Sequence, residues 1–234
     1  MTSGRGGRPA VRRLLLLLVA VAGCVLLWST GFTVVRSDDA STKPAVFDPV
    51  AYVDGSWDEI VTTIRDDSVD LAEILTAMAP DPDGLVQKTA LKAVTEKYGV
   101  ITQGEAHVYK VKVTGTVTSV DVESSVGTIE ITLDGYTGPV TVQVYVGSRI
   151  PSDESSVRDS VGFISFGDFR DQTEYGKVSS EINGRILKML SGADVAALEG
   201  KTVTVYGAMT IRTFNLVQID VSTVKIVPVA IELS

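Results

Sequence analysis

The stretch Val108-Tyr109-Lys110-Val111-Lys112-Val113 decides the fold. Apolar and polar residues alternate through it, and the alternation continues past Gly115-Thr116-Val117 to Val122. A period of two puts every second side chain on one face, the pattern of a half-buried β-strand. Downstream, Gly127-Thr128-Ile129-Glu130-Ile131-Thr132-Leu133 repeats it and closes on Asp134-Gly135, a hairpin-turn dipeptide. Val140, Val142, Val144 and Val146 make a third strand of strict period two. A helix-compatible segment follows over about 174–190, with Val178, Ile182, Ile186 and Leu190 on one face. Strand patterns return over 202–211, 214–221 and 226–233.

Three meandering strands, a helix between strands three and four, then further strands is the order of an OB-fold, a small Greek-key barrel. Closure hides the edges of so many Val-rich strands. Gly115, Gly127 and Gly207 stand where strongly bent strands need residues without a side chain. The expected class is therefore α+β, with an OB-like β-barrel over 105–234. A small β-sandwich is the competing fold.

Toward the N-terminus the period changes to that of a helix. Asp48 is an N-cap with Pro49 at the first helical position, and Val50, Val53, Trp57, Ile60, Val61 and Ile64 predict a helix over about 49–66. Asp70 opens a second helix through Leu71, Ile74, Leu75 and Met78, which Pro80 ends. After the turn Pro82-Asp83-Gly84, residues Val86, Ala90, Leu91 and Val94 predict a third, reaching Tyr98 with Gly99 as its C-cap. Residues 47–104 thus read as a helical arm. It either presents a surface to a neighbour or packs on the barrel to complete the core.

Residues 36–46 are polar and aperiodic, a linker. Before them, Arg5, Arg8, Arg12 and Arg13 precede an uncharged run of 22 residues, Leu14 to Val35. A basic flank before an apolar run keeps its own end cytoplasmic and sends the rest outward. The segment 1–35 reads in two ways. Val21-Ala22-Gly23-Cys24 resembles a lipobox, which would make Cys24 a lipidation site. Alternatively the whole run is an uncleaved signal-anchor helix, since about 20 apolar residues cross a bilayer. The apolar Val25-Leu26-Leu27-Trp28 after the cysteine favours the anchor. Either way the domain is expected at the cell membrane, single-pass or lipid-anchored, on the extracytoplasmic side.

The chain of 234 residues has 21 basic and 29 acidic side chains, net −8; without the four leading arginines the balance is 17 against 29, net −12. That acidity argues against nucleic acid. One cysteine excludes an internal disulfide and a Cys-based zinc cluster, and one histidine excludes a multi-histidine centre. No metal and no cofactor is expected. The single His107 is read as exposed at a strand start.

The polar residues between the third strand and the helix are the candidate binding set. Arg149, Arg158, Asp159, Asp168, Gln172 and Tyr175 supply the guanidinium, carboxylate, amide and aromatic groups that recognise a carbohydrate-like ligand. The plainer reading pairs Arg158 with Asp159 and makes Phe163, Phe166 and Phe169 a plug at the barrel end. The sequence has no GxSxG, no Cys/His pair and no phosphate loop. Catalysis would rest on a carboxylate couple such as Asp159 and Asp168, so a carboxylate-dependent hydrolase is the remote alternative and no enzyme is expected.

The combination Phe47-Asp48-Pro49-Val50-Ala51-Tyr52-Val53 with Trp57, then Arg158-Asp159 before Phe163-Ile164-Ser165-Phe166-Gly167-Asp168-Phe169 and Gln172-x-Glu174-Tyr175, resembles a bacterial family of predicted periplasmic lipoproteins, domain of unknown function 2291. The resemblance spans about residues 31–233. It implies a membrane-attached, extracytoplasmic, OB-like domain and an accessory role beside a sugar-type ABC transporter. It carries over no catalytic residue. The expected function is a non-catalytic accessory that contacts another envelope protein, such as a transporter component; a carbohydrate-binding module is the alternative.

Overall fold

The computed structural model describes residues 46–233 apart from residue 103. The segment 1–35, its Cys24 and the linker up to residue 45 lie outside the described residues.

Asp48 starts the first helix, α1 (Pro49–Asp67). Its carboxylate accepts the amide N–H groups of Val50 and Ala51 at 3.0 and 3.2 Å, and Pro49 fills a first-turn position where an N–H has no intrahelical partner. The short strand β1 (Val69–Asp70) runs into α2 (Leu71–Met78), with Asp70 accepting the amide of Ala72 at 2.9 Å. Then come β2 (Leu85–Gln87), α3 (Lys88–Tyr98) and β3 (Val100–Ile101). Gly99 does end α3, but in extended backbone at φ −151° and not as a left-handed cap. It must be glycine for another reason: a Cβ there would sit 2.4 Å from the Val108 carbonyl oxygen.

The alternating stretch is β4 (Ala106–Val120), followed by β5 (Thr128–Leu133) and β6 (Thr141–Tyr145). Next are α4 (Ser156–Ser160), a 3-10 turn at Phe166–Asp168, and α5 (Gln172–Ser191). A second 3-10 turn, Val195–Leu198, leads to β7 (Thr202–Arg212), β8 (Gln218–Asp220) and β9 (Thr223–Leu233). β4 pairs antiparallel with β5, and β5 with β6; β6 runs parallel to β9. β9 is antiparallel to β7, and β7 returns antiparallel to β4, so five strands pair in a ring. β1 and β3 extend β4 at one end, while β2 pairs only with β8.

The long β4 is flanked by β7 over 106–116 and by β5 over 115–120, and Gly115 is paired on both edges, facing Leu133 of β5 and Val203 of β7. A Cβ at Gly115 would lie 2.1 Å from the Thr132 carbonyl oxygen. Backbones approach that closely only where no side chain intervenes.

Val111, Val113 and Val117 of β4 enter one core with Ile129, Val142, Val144, Val203 and Val205. The helices join it: Val53, Ile60 and Ile64 of α1, Leu71, Ile74 and Leu75 of α2, and Leu91 of α3 are fully buried. The segment 47–104 is therefore no free-standing spacer. Its apolar stripes complete the core of the ring, because burial there removes them from water at about 25 cal/mol per Å². α5 packs on α1; its Val178, Ile182, Ile186 and Leu190 are buried, and its Arg185 reaches Asp54 at 2.5 Å. Among the described residues no helix is long and apolar enough to cross a membrane.

Candidate functional site

One turn of helix, α4, aims Arg158 and Asp159 at the first turns of α5. Arg158 donates from Nε and Nη2 to Asp159 Oδ1 at 2.8 and 2.7 Å and from Nη1 to the Tyr175 carbonyl at 3.0 Å. Its guanidinium lies 3.5 Å from the centre of the Tyr175 ring. The Tyr175 hydroxyl donates to Asp159 Oδ1 at 3.0 Å, and Ser155 Oγ donates to Oδ2 at 2.7 Å. Burial, then the Asp159 charge, raises the Tyr175 phenol above its ordinary range. The Arg158 and Asp159 side chains are 8% and 12% exposed. Each charge is answered from within, so this group works as a lock between α4 and α5.

Tyr175 also belongs to an aromatic cluster. Its ring centre lies 5.4 Å from Phe169 and 5.6 Å from Phe166, while Phe169 lies 5.3 Å from Tyr52 and 5.5 Å from Phe47. Tilted and edge-on contacts at these spacings each add about 0.5–1.5 kcal/mol beyond area burial. Two segments far apart in sequence, 47–53 and 158–175, thus meet in one place. Phe163 and Phe169 pack against the core; Phe166 stays largely exposed.

The remaining candidates do not join the lock. Asp168 accepts the Ser165 amide at 3.0 Å in a reciprocal capping box. Gln172 is the exposed first residue of α5, and Arg149 is exposed in the loop after β6. Glu174, buried, is held by Arg170, whose hydrogen bonds keep its carboxyl below the usual range.

His107 corrects the sequence reading. It is 2% exposed, because α3 and β3 cover the start of β4. Thr95 Oγ1 donates to the Leu91 carbonyl at 2.8 Å and meets His107 Nδ1 and the Tyr109 hydroxyl, both at 2.6 Å. A hydroxyl has one proton, so His107 must donate from Nδ1 and Tyr109 must donate too. Burial pushes the Tyr109 phenol up to about 12. Burial first, then Lys88, lowers the His107 pKa from 6.5; Glu105 opposes this and Lys92 adds to it. The unfolded chain therefore binds the proton more readily, and this contribution to stability is complete above pH 6.5 and is lost as pH falls through the folded value. Urea denaturation at pH 7.5 and about pH 5 should show this loss. His107→Asn, which keeps a donor but cannot titrate, should remove that part of the pH dependence.

A solved OB-fold protein of Thermotoga maritima resembles the chain with a TM-score of 0.56 at 14% identity, covering 81% of this chain and 99% of its own. That likeness concerns the fold and agrees with the ring of strands and the helix between its third and fourth members. No curated protein matches the chain. The motifs that build the lock and its aromatic surround lie within residues 17–232, which match the family described as "Predicted periplasmic lipoprotein (DUF2291)", and the chain belongs to that family.

Proposed function

We propose that this chain is a non-catalytic, membrane-attached extracytoplasmic accessory that docks on another envelope protein, an ABC transporter component. The observation that carries this is the loop between β7 and β8. Phe214, Leu216 and Val217 are 67%, 49% and 77% exposed on it. The loop is not slack: Thr213 Oγ1 donates to the Glu105 carbonyl at 2.9 Å, the Leu216 amide to Thr213 O at 3.0 Å, and Lys88 N to Val217 O at 2.9 Å. Three large apolar side chains held in a fixed shape toward water mark an interaction surface, and a preformed shape lowers the entropy lost on docking. The net −12 beyond the leading arginines favours a protein over an anionic lipid surface.

The engagement of Asp159 in the lock and of Asp168 in a capping box supports the non-catalytic reading over a carboxylate-dependent hydrolase. The same closure weighs against a carbohydrate site at 149–175, since a ligand would have to displace internal partners of Arg158 and Asp159. A photo-crosslinking residue at Phe214 should capture a transporter subunit in cells, while one at the exposed Val122 should not. Capture should disappear with Leu216→Ser/Val217→Ser. Labelling of lipid alone, or of nothing, overturns the docking reading.

A further inference from the structure

β7 and β9 part company near their ends, and a cavity opens there. β7 stays paired with β4 as far as Arg212, but its last pairing with β9 is Met209 with Ile226. The first residues of β9 turn instead to β6, Thr223 beside Thr141 and Lys225 beside Gln143. The wedge left between them holds about 230 Å³ and is lined by Tyr145, Glu154, Thr210, Arg212, Asp220 and Lys225 among others. We propose that this wedge binds a small uncharged polyhydroxy compound, a free monosaccharide.

The chemistry of the walls carries the assignment. Tyr145 is 5% exposed and lies in the wall. Burial, reinforced by Glu154 and Asp153, pushes its phenol up to about 12, so it remains a donor. Glu154 is 8% exposed, and its Oε1 accepts the Ser156 amide at 2.9 Å, which fixes the carboxylate and leaves Oε2 to accept from a ligand. At the rim Arg212 is steadied by its 2.8 Å bond to the Asp153 carbonyl, and Asp220 by accepting the Ser222 amide at 2.9 Å. Acidic Glu154 and Asp220 and basic Arg212 and Lys225 share the walls, so neither charge sign is favoured in the guest. Hydroxyls that both donate and accept suit such walls, and the volume limits the guest to one sugar ring.

This site does not rest on the docking reading, because Phe214→Ser leaves every wall residue in place. The test titrates the full chain, in a sugar-free zwitterionic detergent, with D-glucose, D-galactose, D-xylose and D-ribose. Glycine and acetate are the charged controls. Binding is read by saturation-transfer NMR and by the melting temperature. At least one sugar should bind and raise the melting temperature by mass action. Tyr145→Phe should weaken binding about tenfold or more, while the ligand-free melting temperature stays near that of the wild type, since phenylalanine keeps the ring and removes only the wall hydroxyl. Glu154→Gln should weaken binding in the same direction. No binding by any of the four sugars, stronger binding by glycine or acetate, or sugar binding untouched by both variants overturns the proposal.

Discussion

Gly115→Ala should destabilise the protein by about 3 kcal/mol or more, although it adds a single methyl group. The added Cβ would stand 2.1 Å from the Thr132 carbonyl oxygen and 2.9 Å from its carbon, both backbone atoms that cannot swing aside. Relief requires β4 and β5 to separate where β4 is paired on both edges, so the loss falls on the ring itself. Total stabilities of about 5–15 kcal/mol leave little margin for that. Gly176→Ala is the matched control. It lies within α5 with nothing inside 4 Å of its would-be Cβ, and there alanine should add about 0.5–1 kcal/mol. Urea denaturation midpoints should therefore move in opposite directions for the same chemical change. Equal midpoints would mean that the close approach at Gly115 is not a constraint.

Arg158→Ala should cost about 3–5 kcal/mol, the range for removing one partner of a buried ion pair. Asp159 would keep only the Ser155 and Tyr175 hydroxyls, and the Tyr175 ring would lose its guanidinium cover. The penalty comes mostly from the charge left behind. Accordingly the double change Arg158→Met/Asp159→Leu should be less destabilising than Arg158→Ala alone, which denaturation of the three proteins would show. If the pair served a ligand and not the fold, Arg158→Ala would leave the midpoint near that of the wild type.

The ring was legible where the sequence has a period. Ten or more residues of alternation in β4 and the valine set of β6 identify strands, because pleating alone dictates which side chains face the core. β1, β2 and β3, at two or three residues each, have no period to read and exist only because β4 or β8 offers an edge. The lock was half legible. Arg158 and Asp159 are adjacent and their pairing is the plain reading, but the seat of the guanidinium on Tyr175 depends on how α4 meets α5. His107 misled because the cover that buries it comes from α3 and β3, packed across the start of its own strand. The wedge had no signature at all: Tyr145, Glu154 and Thr210 converge only because β9 leaves β7 for β6, an event of tertiary topology.

The way the ring closes also dictates when it can close. Its first strand, β4, finds its main partner only in β7, after α5 has been crossed, and β9 must then insert between β6 and β7. Arg65 of α1 meets Glu232, 167 positions later, at 2.5 Å. Contacts of such long range make loop closure the slow step, and folding is expected to be correspondingly slow. A chain emerging from its N-terminus holds a three-stranded meander until β7 covers the β4 edge, and the β6 and β7 edges then stay bare until the last dozen residues bring β9. During that interval the β6 and β7 edges are open to pairing with other chains, so the protein is most vulnerable to aggregation while its C-terminal strand is still missing.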